Sequence, residues 1–384
     1  MRRPTGPVLP SLLFAIATRL GLFFAVWLVG RAIPKLALYP AQLPDRFLPD
    51  HPSLDGWARW DASHYIALAR LGYSPENPSH DGGLGFLPLY SLLMRGLVSI
   101  ARVDRTDAAY AVAGIVIANV CFLIAVALFA KLSGRILSGH TAVYPIMLLC
   151  LMPYSFFLNA AYSESLFLVI VLSALLLALD GKWLGAGAIG AFASLTRLAG
   201  LALAPALLWG AWKAGVRGWR LVATGLLPFA GFVSYCLYTA IWHDDALAYF
   251  HAQQNWGGWD EHVRFYAELF FRHPKETLTG DPRNLIIVLN LALGLVFLVL
   301  LPLVWKRLPP AIAMFTVVTV VAHLAVTWVS LGRYLLPSIG IYLVLGAIVA
   351  SPRWSGWARD ALFAVLAILL TTLTLLFSRG FWVV

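Results

Sequence analysis

Acidic side chains are scarce in this chain. Asp and Glu number 18 in 384 residues, against 28 Lys and Arg. The charged types together make up 12%, where soluble proteins carry about 25%. With 60% apolar residues and a mean hydropathy of +0.80, this shortage argues against a soluble globular protein and for a polytopic membrane protein. Cysteine is also rare. Cys121, Cys150 and Cys236 all fall inside apolar runs, which leaves no disulfide framework and no zinc spacing and makes them core thiols. There is no glycine-rich phosphate loop or Walker sequence, so a nucleotide-hydrolysing engine is unsupported. Although the net charge is +10, no polar domain collects the basic residues, which argues against nucleic acid as a partner. They lie in short segments between apolar runs, where they set topology and meet membrane lipids. No low-complexity segment or transporter-type repeat stands out.

What the chain does have is a series of apolar runs. The first, about Val8 to Val29, follows Arg2 and Arg3, which places the N-terminus in the cytoplasm. No small-residue cleavage site follows, so the run is read as a retained helix rather than a signal peptide. Residues 30–108 then form a first outer loop in which 61–71 spell a short helix stopped by Gly72. The stretch from Gly85 to Ile100 carries Arg95 and is closely followed by Arg102 and Arg105. Reading it as an interfacial helix, and not as a crossing, keeps Lys131 and Arg135 inside, along with every later basic cluster. The pattern predicts an all-α membrane protein of about eleven spans with the C-terminus outside. The two short runs flanking Arg197 suit a broken or re-entrant hairpin. Residues 243–283 make a second large outer loop.

Under this topology the few polar groups converge on the outer face. Within Trp57 to Tyr65, Arg59, Trp60, Asp61, His64 and Tyr65 lie close together, and a carboxylate among such neighbours suits a general base beside a hydroxylated substrate. An aromatic belt at the membrane surface gives the same composition. Glu164, in Tyr162-Ser-Glu-Ser165, is either a functional intramembrane carboxylate or a charge at a helix N-terminus. Arg197 either binds a phosphate or pairs with Glu164. Arg333 and Tyr334 read equally as site residues or as a headgroup contact. In the second loop, Gln254 and Trp256 are candidate substrate contacts, with Trp256 and Trp259 able to stack on a sugar or merely lie in the interface. Asp244-Asp245 is a weak metal signal, and His323 reads as a hydrogen-bonded core histidine. Neither cofactor nor metal is assigned, and divalent-metal dependence is open. The outer face lacks nucleotide-sugars, so a donor used there is expected to be lipid-linked.

Arg59-Trp-Asp-Ala-Ser-His-Tyr-Ile-Ala-Leu-Ala-Arg-Leu-Gly-Tyr73 followed by Phe86-Leu-Pro-Leu-Tyr90 resembles the PIG-V family of mannosyltransferases and their bacterial relatives. Tyr162-Ser-Glu-Ser-Leu-Phe167, Thr196-Arg197 and Arg333-Tyr-Leu-Leu-Pro337 are similar to family segments in the same order. The resemblance implies a multi-spanning glycosyltransferase C fold, an essential aspartate in the first outer loop corresponding to Asp61, and a polyprenyl-phosphate mannose donor. His64 departs from the pattern, since an aromatic residue is expected there. The expectation is an inverting hexosyltransferase of a bacterial plasma membrane acting on a lipid-linked, glycan or protein hydroxyl. In it Asp61 is the base, and Arg197 with Arg333 stabilises the departing phosphate. A transporter or flippase of a lipid-linked sugar is the rival, as is a transferase of the same fold using another sugar.

Overall fold

The computed structural model describes residues 6–32, 47–79, 81–256, 263–264, 267, 271–272, 282–326 and 330–383. Among these residues the secondary structure is entirely helical. In chain order the helices are α1 (Val8–Ala32), α2 (Pro52–Asp55), α3 (Ala62–Leu71), α4 (Leu89–Ala101), α5 (Asp107–Ile136) and α6 (Tyr144–Leu151). Then come α7 (Glu164–Leu179), α8 (Trp183–Thr196), α9 (Leu203–Lys213), α10 (Gly218–Leu226), α11 (Phe229–Trp242) and α12 (Ala248–Gln253). The last five are α13 (Pro282–Arg307), α14 (Pro310–Val326), α15 (Leu331–Tyr334), α16 (Ile339–Val349) and α17 (Gly356–Ser378).

Side-chain spacing shows which faces meet lipid. In α1, Leu9, Leu13, Ile16, Leu20 and Phe24 recur every three to four residues and are exposed, while Ser11, Ala15, Arg19, Leu22 and Val26 form the buried face. In α5, Val112, Val116, Val120 and Ile124 are likewise exposed. By contrast α7 is apolar on every side and almost wholly buried, packed between α5 and α8 at the centre of the bundle. The molecule is an all-α membrane protein. Among the described residues four helices are long and apolar enough to cross a bilayer, and five if the bent pair α10–α11 is one span. Each of the eleven apolar segments expected from the sequence contains helix, but seven apolar helices have only 10–17 residues, so helix length does not reproduce the count of eleven. One of the seven is α4. With 13 residues it reaches about 20 Å, short of a hydrocarbon core of roughly 30 Å. Its Arg95 donates to the Ala69 carbonyl (2.7 Å), placing a cation at the C-terminus of α3.

Two polar features hold the middle of the fold. Arg19 on α1 is 5% exposed and sits over the Phe122 ring. It donates to Ser155 Oγ (3.2 Å from Nη2) and to the Cys150 carbonyl (3.4 Å), at the C-terminal end of α6. Asn119 on α5 and Asn159 exchange hydrogen bonds of 2.7 and 3.0 Å. Together they fix the stretch from Met152 to Ser163, which holds a short 3-10 turn at Ser155–Leu158 and leads into the N-terminus of α7.

Candidate active site

Four segments meet at one end of α7. The first runs from Trp57 to α3 and is locked from below. Asp55, 1% exposed, accepts from the backbone N–H of Phe47 and Leu48 and from Arg59 Nη2 (2.5 Å), while Arg59 Nε also reaches the Ser378 carbonyl. Trp60 takes a left-handed backbone conformation (φ 56°) that is costly for a bulky side chain, and its indole N–H donates to the Phe381 carbonyl (3.2 Å). Asp61 follows. It stands at the N-cap position of α3, yet its side chain makes no capping hydrogen bond. The Tyr162 hydroxyl accepts from the Asp61 N–H (3.1 Å) and donates to the Arg59 carbonyl (2.8 Å), fixing the backbone while leaving the carboxylate to point elsewhere.

The second segment presents Ser163 and Glu164 at the start of α7. The third is the reversal between α8 and α9. There Arg197 is extended, and a Cβ on Gly200 would lie 2.3 Å from the Ala193 carbonyl carbon, so only glycine lets the chain turn this closely. The fourth is α15, entered through left-handed Ser330 (φ 62°). A Cβ on Gly332 would strike the Tyr154 ring at 2.2 Å, and its N–H is taken by buried Asn290 of α13 (2.8 Å).

These segments assemble a continuous charge chain. Arg333 Nη1 donates to Asp61 Oδ2 at 2.6 Å, Arg333 Nε donates to Glu164 Oε1, and Arg197 Nη1 donates to the same Glu164 oxygen at 2.6 Å. Glu164 and Arg333 are almost fully buried (4% and 5% of the side chain exposed), whereas Asp61 keeps 31% of its side chain open. The Arg333 guanidinium also lies over the rings of Tyr162 (4.5 Å) and Phe157 (5.1 Å), and Arg197 over Tyr334 (5.3 Å). Burial pushes the Asp61 carboxylate toward its neutral form. Arg333, with His64 and Arg197 behind it, outweighs that and holds the group below the usual carboxylate range. Burial opposes the charge on Arg333 as well, but Glu164 and Asp61 keep it firmly protonated. Tyr65, hydrogen-bonded to Ser163 Oγ (2.9 Å), is pushed up to about 12 by burial and by Glu164 and stays neutral. Arg197 Nε and Nη2 and Arg333 Nη2 make no hydrogen bond among the described residues, so each arginine keeps donors for an incoming anion. Both arginines and Glu164 line a cleft whose other walls include Leu158, Phe167, Leu168, Leu336 and Pro337.

The sequence-derived candidates thus sort themselves by place. Asp61, Glu164, Arg197 and Arg333 form the chain, and Tyr65, Tyr162 and Tyr334 pack around it. His64 hydrogen-bonds Ser79 Oγ through Nδ1 (2.8 Å) and stacks on Phe86 (4.7 Å), one turn along α3 from Asp61. Arg59 and Trp60 tie the loop down instead of pointing into the cleft. Gln254 is exposed and caps α12 with its backbone N–H on the His251 and Ala252 carbonyls, and its side chain makes no hydrogen bond among the described residues, while the side chain of Trp256 and all of Trp259 lie outside them. Gln253, beside Gln254, instead docks α12 on the segment between α3 and α4 through the Gly85 carbonyl (3.0 Å). His323 bonds the Thr319 carbonyl (2.7 Å), stacks on Tyr334 (5.2 Å) and lines the cleft. The sequence reading passed over Asn290, although a lone amide in an apolar run is a visible signal; Ser163 entered it only as part of a helix start, and Asp55 only as the other carboxylate near Asp61. Among the described residues no three His, Cys, Asp or Glu side chains gather as a metal site.

Against known proteins, the model of the mannosyltransferase (PIG-V) family matches residues 32–240, which include Asp61, Glu164 and Arg197. GPI alpha-1,6-mannosyltransferase 2 of Cricetulus griseus is 31% identical over 161 residues, covering 38% of this chain and 30% of that protein. Its Homo sapiens counterpart is 30% identical over 135 residues, covering 32% and 25%. The chain therefore matches less than a third of the length of either relative.

Proposed function

The chain belongs to the mannosyltransferase (PIG-V) family, and on that premise we propose that it transfers a mannosyl residue from a polyprenyl-phosphate sugar to an acceptor hydroxyl with inversion. We place the reaction at the extracytoplasmic face of a bacterial plasma membrane, with a lipid-linked, glycan or protein acceptor. The observation that supports this most is the pairing of a partly open carboxylate, Asp61, with buried Arg333, which with the largely buried Arg197 lines a cleft of otherwise mostly apolar walls. Such a cleft suits a ligand with an anionic head and a hydrocarbon tail.

In this reading the donor phosphate sits against Arg197 and Arg333, and its sugar lies toward Asp61. Asp61 takes the acceptor's proton as the acceptor oxygen bonds to the anomeric carbon. The bond from that carbon to the phosphate oxygen breaks, and its electron pair stays on the phosphate. General-base assistance is worth roughly 10²–10⁴-fold, and the arginines supply positive charge where the leaving group gains negative charge. Phosphate leaves readily, so one carboxylate suffices where glycoside hydrolysis generally uses two. The relatives' names specify an alpha-1,6 linkage. Carried over to this chain under inversion, that linkage requires a β-configured donor.

The experiment is incubation of the purified protein with polyprenyl-phosphate mannose and a membrane extract, followed by mass identification of the product and assignment of its anomeric configuration. A product heavier by one hexose with inverted configuration supports the reading. Movement of the lipid-linked sugar across the bilayer without a new glycosidic bond refutes it in favour of a transporter.

A further inference from the structure

The charge chain assigns Arg333 two anions before any substrate arrives. It holds Glu164 through Nε and Asp61 through Nη1. A carboxylate clamped by a guanidinium is a poor base, because the ion pair must loosen as the proton arrives. The same Arg333 is also the group a donor phosphate needs. We propose that the donor phosphate displaces Asp61 from Arg333, so that binding of the lipid phosphate releases the base and donor before acceptor is the productive order. This inference rests on reading the cleft as a lipid-phosphate site.

The geometry decides which carboxylate lets go. Glu164 is 4% exposed and shared by both guanidinia, so its release would strand a buried charge. Asp61 is 31% exposed, and its backbone is held independently by Tyr162, so its side chain can swing without moving the loop. A phosphate that takes the open Nη2 and also reaches the adjacent Nη1 exchanges with Asp61 only there, and Nε keeps the guanidinium in place through Glu164. The other groups facing Asp61 are His64 on its own helix, Tyr162 beneath it and Arg197 beyond Arg333. None of them accepts a hydrogen bond from Arg333 among the described residues, where its acceptors are Glu164 and Asp61.

The charges balance through the cycle. Asp61, Glu164, Arg197 and Arg333 sum to zero, and a phosphodiester donor adds one negative charge. Transfer moves the acceptor's proton to Asp61 and turns the diester into a phosphate dianion, so the total is unchanged. Protonated Asp61 no longer competes for Arg333. When it loses its proton, the Asp61–Arg333 pair re-forms and helps expel the lipid phosphate.

The test is equilibrium binding of a sugar-free polyprenyl phosphate to purified protein in detergent. Asp61→Asn and Asp61→Ala remove the competitor for Arg333, so both should bind the lipid phosphate more tightly than wild type, on the order of tenfold. In an Arg333→Gln background the gain should vanish. Equal or weaker binding by both Asp61 variants would overturn the exchange and leave the donor reading standing. A gain that persists without Arg333 would also overturn it, by assigning the effect to the general field of the site. Absence of binding by wild type and both Asp61 variants would remove the donor reading and the exchange together.

Discussion

Neutralising Asp61 separates catalysis from stability. Asp61→Asn keeps the shape of the side chain and removes its ability to take a proton at neutral pH. The structural cost is small by construction. The Asp61 side chain does not cap α3, Arg333 keeps Glu164 after the change, and the pair that is lost is 31% exposed on the Asp61 side. With Arg333 buried and the Asp61 end open, the loss lies between about 1 kcal/mol for an exposed pair and about 3–5 kcal/mol for a buried one, nearer the former because Arg333 keeps Glu164. Loss of a general base raises the barrier by roughly 2.7 kcal/mol or more, equivalent to at least about 10²-fold in rate. The two losses therefore separate in one preparation, with mannose transfer read per molecule of folded protein and thermal unfolding read beside it. The pH dependence gives a further check. A carboxylate held below its usual range contributes stability that is present above its unfolded pKa of about 3.9 and lost as the pH falls through the lower folded value. The melting temperatures of wild type and variant should thus differ by a constant at neutral pH and converge below about pH 4. Transfer above about a tenth of wild type by an equally folded variant would remove Asp61 as the base.

Arg197→Lys preserves the charge opposite Glu164 and loses the planar fork, of which only Nη1 is committed among the described residues. Donor KM should rise about tenfold with the melting temperature retained, and unchanged donor kinetics would assign Arg197 to a structural pair. Glu164→Gln leaves two buried guanidinia with one partly open carboxylate between them, so it should cost about 3–5 kcal/mol of stability. An unaltered melting temperature would show that the arginines are neutralised by another route. For topology, cysteine at exposed Glu76 should react with an impermeant maleimide in intact cells, and cysteine at exposed Trp219 only after permeabilisation. The reverse pattern would place the Asp61 loop inside and refute the extracytoplasmic assignment.

The components of the site were legible because polar residues are so few. Asp61, Glu164, Arg197 and Arg333 each interrupt or border an apolar run, and alternating the spans brings all four to one end of the bundle. Their pairing was not legible, because topology gives an end of the bundle and not a distance. Asp55 shows the limit most plainly. Six residues from Asp61 and equally acidic, it reads as an alternative base, yet it is consumed by Phe47, Leu48 and Arg59. Only a fold that brings a loop over its side chain reveals that. Arg19 drew no expectation either, since its acceptors are a hydroxyl and a carbonyl more than 130 residues away. The number of spans escaped for a different reason. Hydropathy marks an apolar helix but not whether it goes through, and the runs around Arg197 are two helices of a tight reversal.

The backbone shows why these four side chains stay together although nothing covalent joins them. Two of the segments bearing the charges are entered through non-glycine left-handed residues, Trp60 and Ser330, each adjacent or nearly adjacent to the group it aims. Such conformations cost about 1–3 kcal/mol apiece and persist only where the surroundings over-determine them. Here the indole N–H of Trp60 on the Phe381 carbonyl and the Asn290 amide on the Gly332 N–H are such surroundings, the first partner lying just past the end of α17 and the second on α13. The acid at the start of α7, 33 residues from Arg197, therefore meets Arg333 only once the C-terminal third of the chain has packed. It follows that Asp61 and Arg333, 272 positions apart, are coupled by the whole fold, and that the exchange of one anion for another on Arg333 takes place on a frame too strained and too tightly braced to follow it.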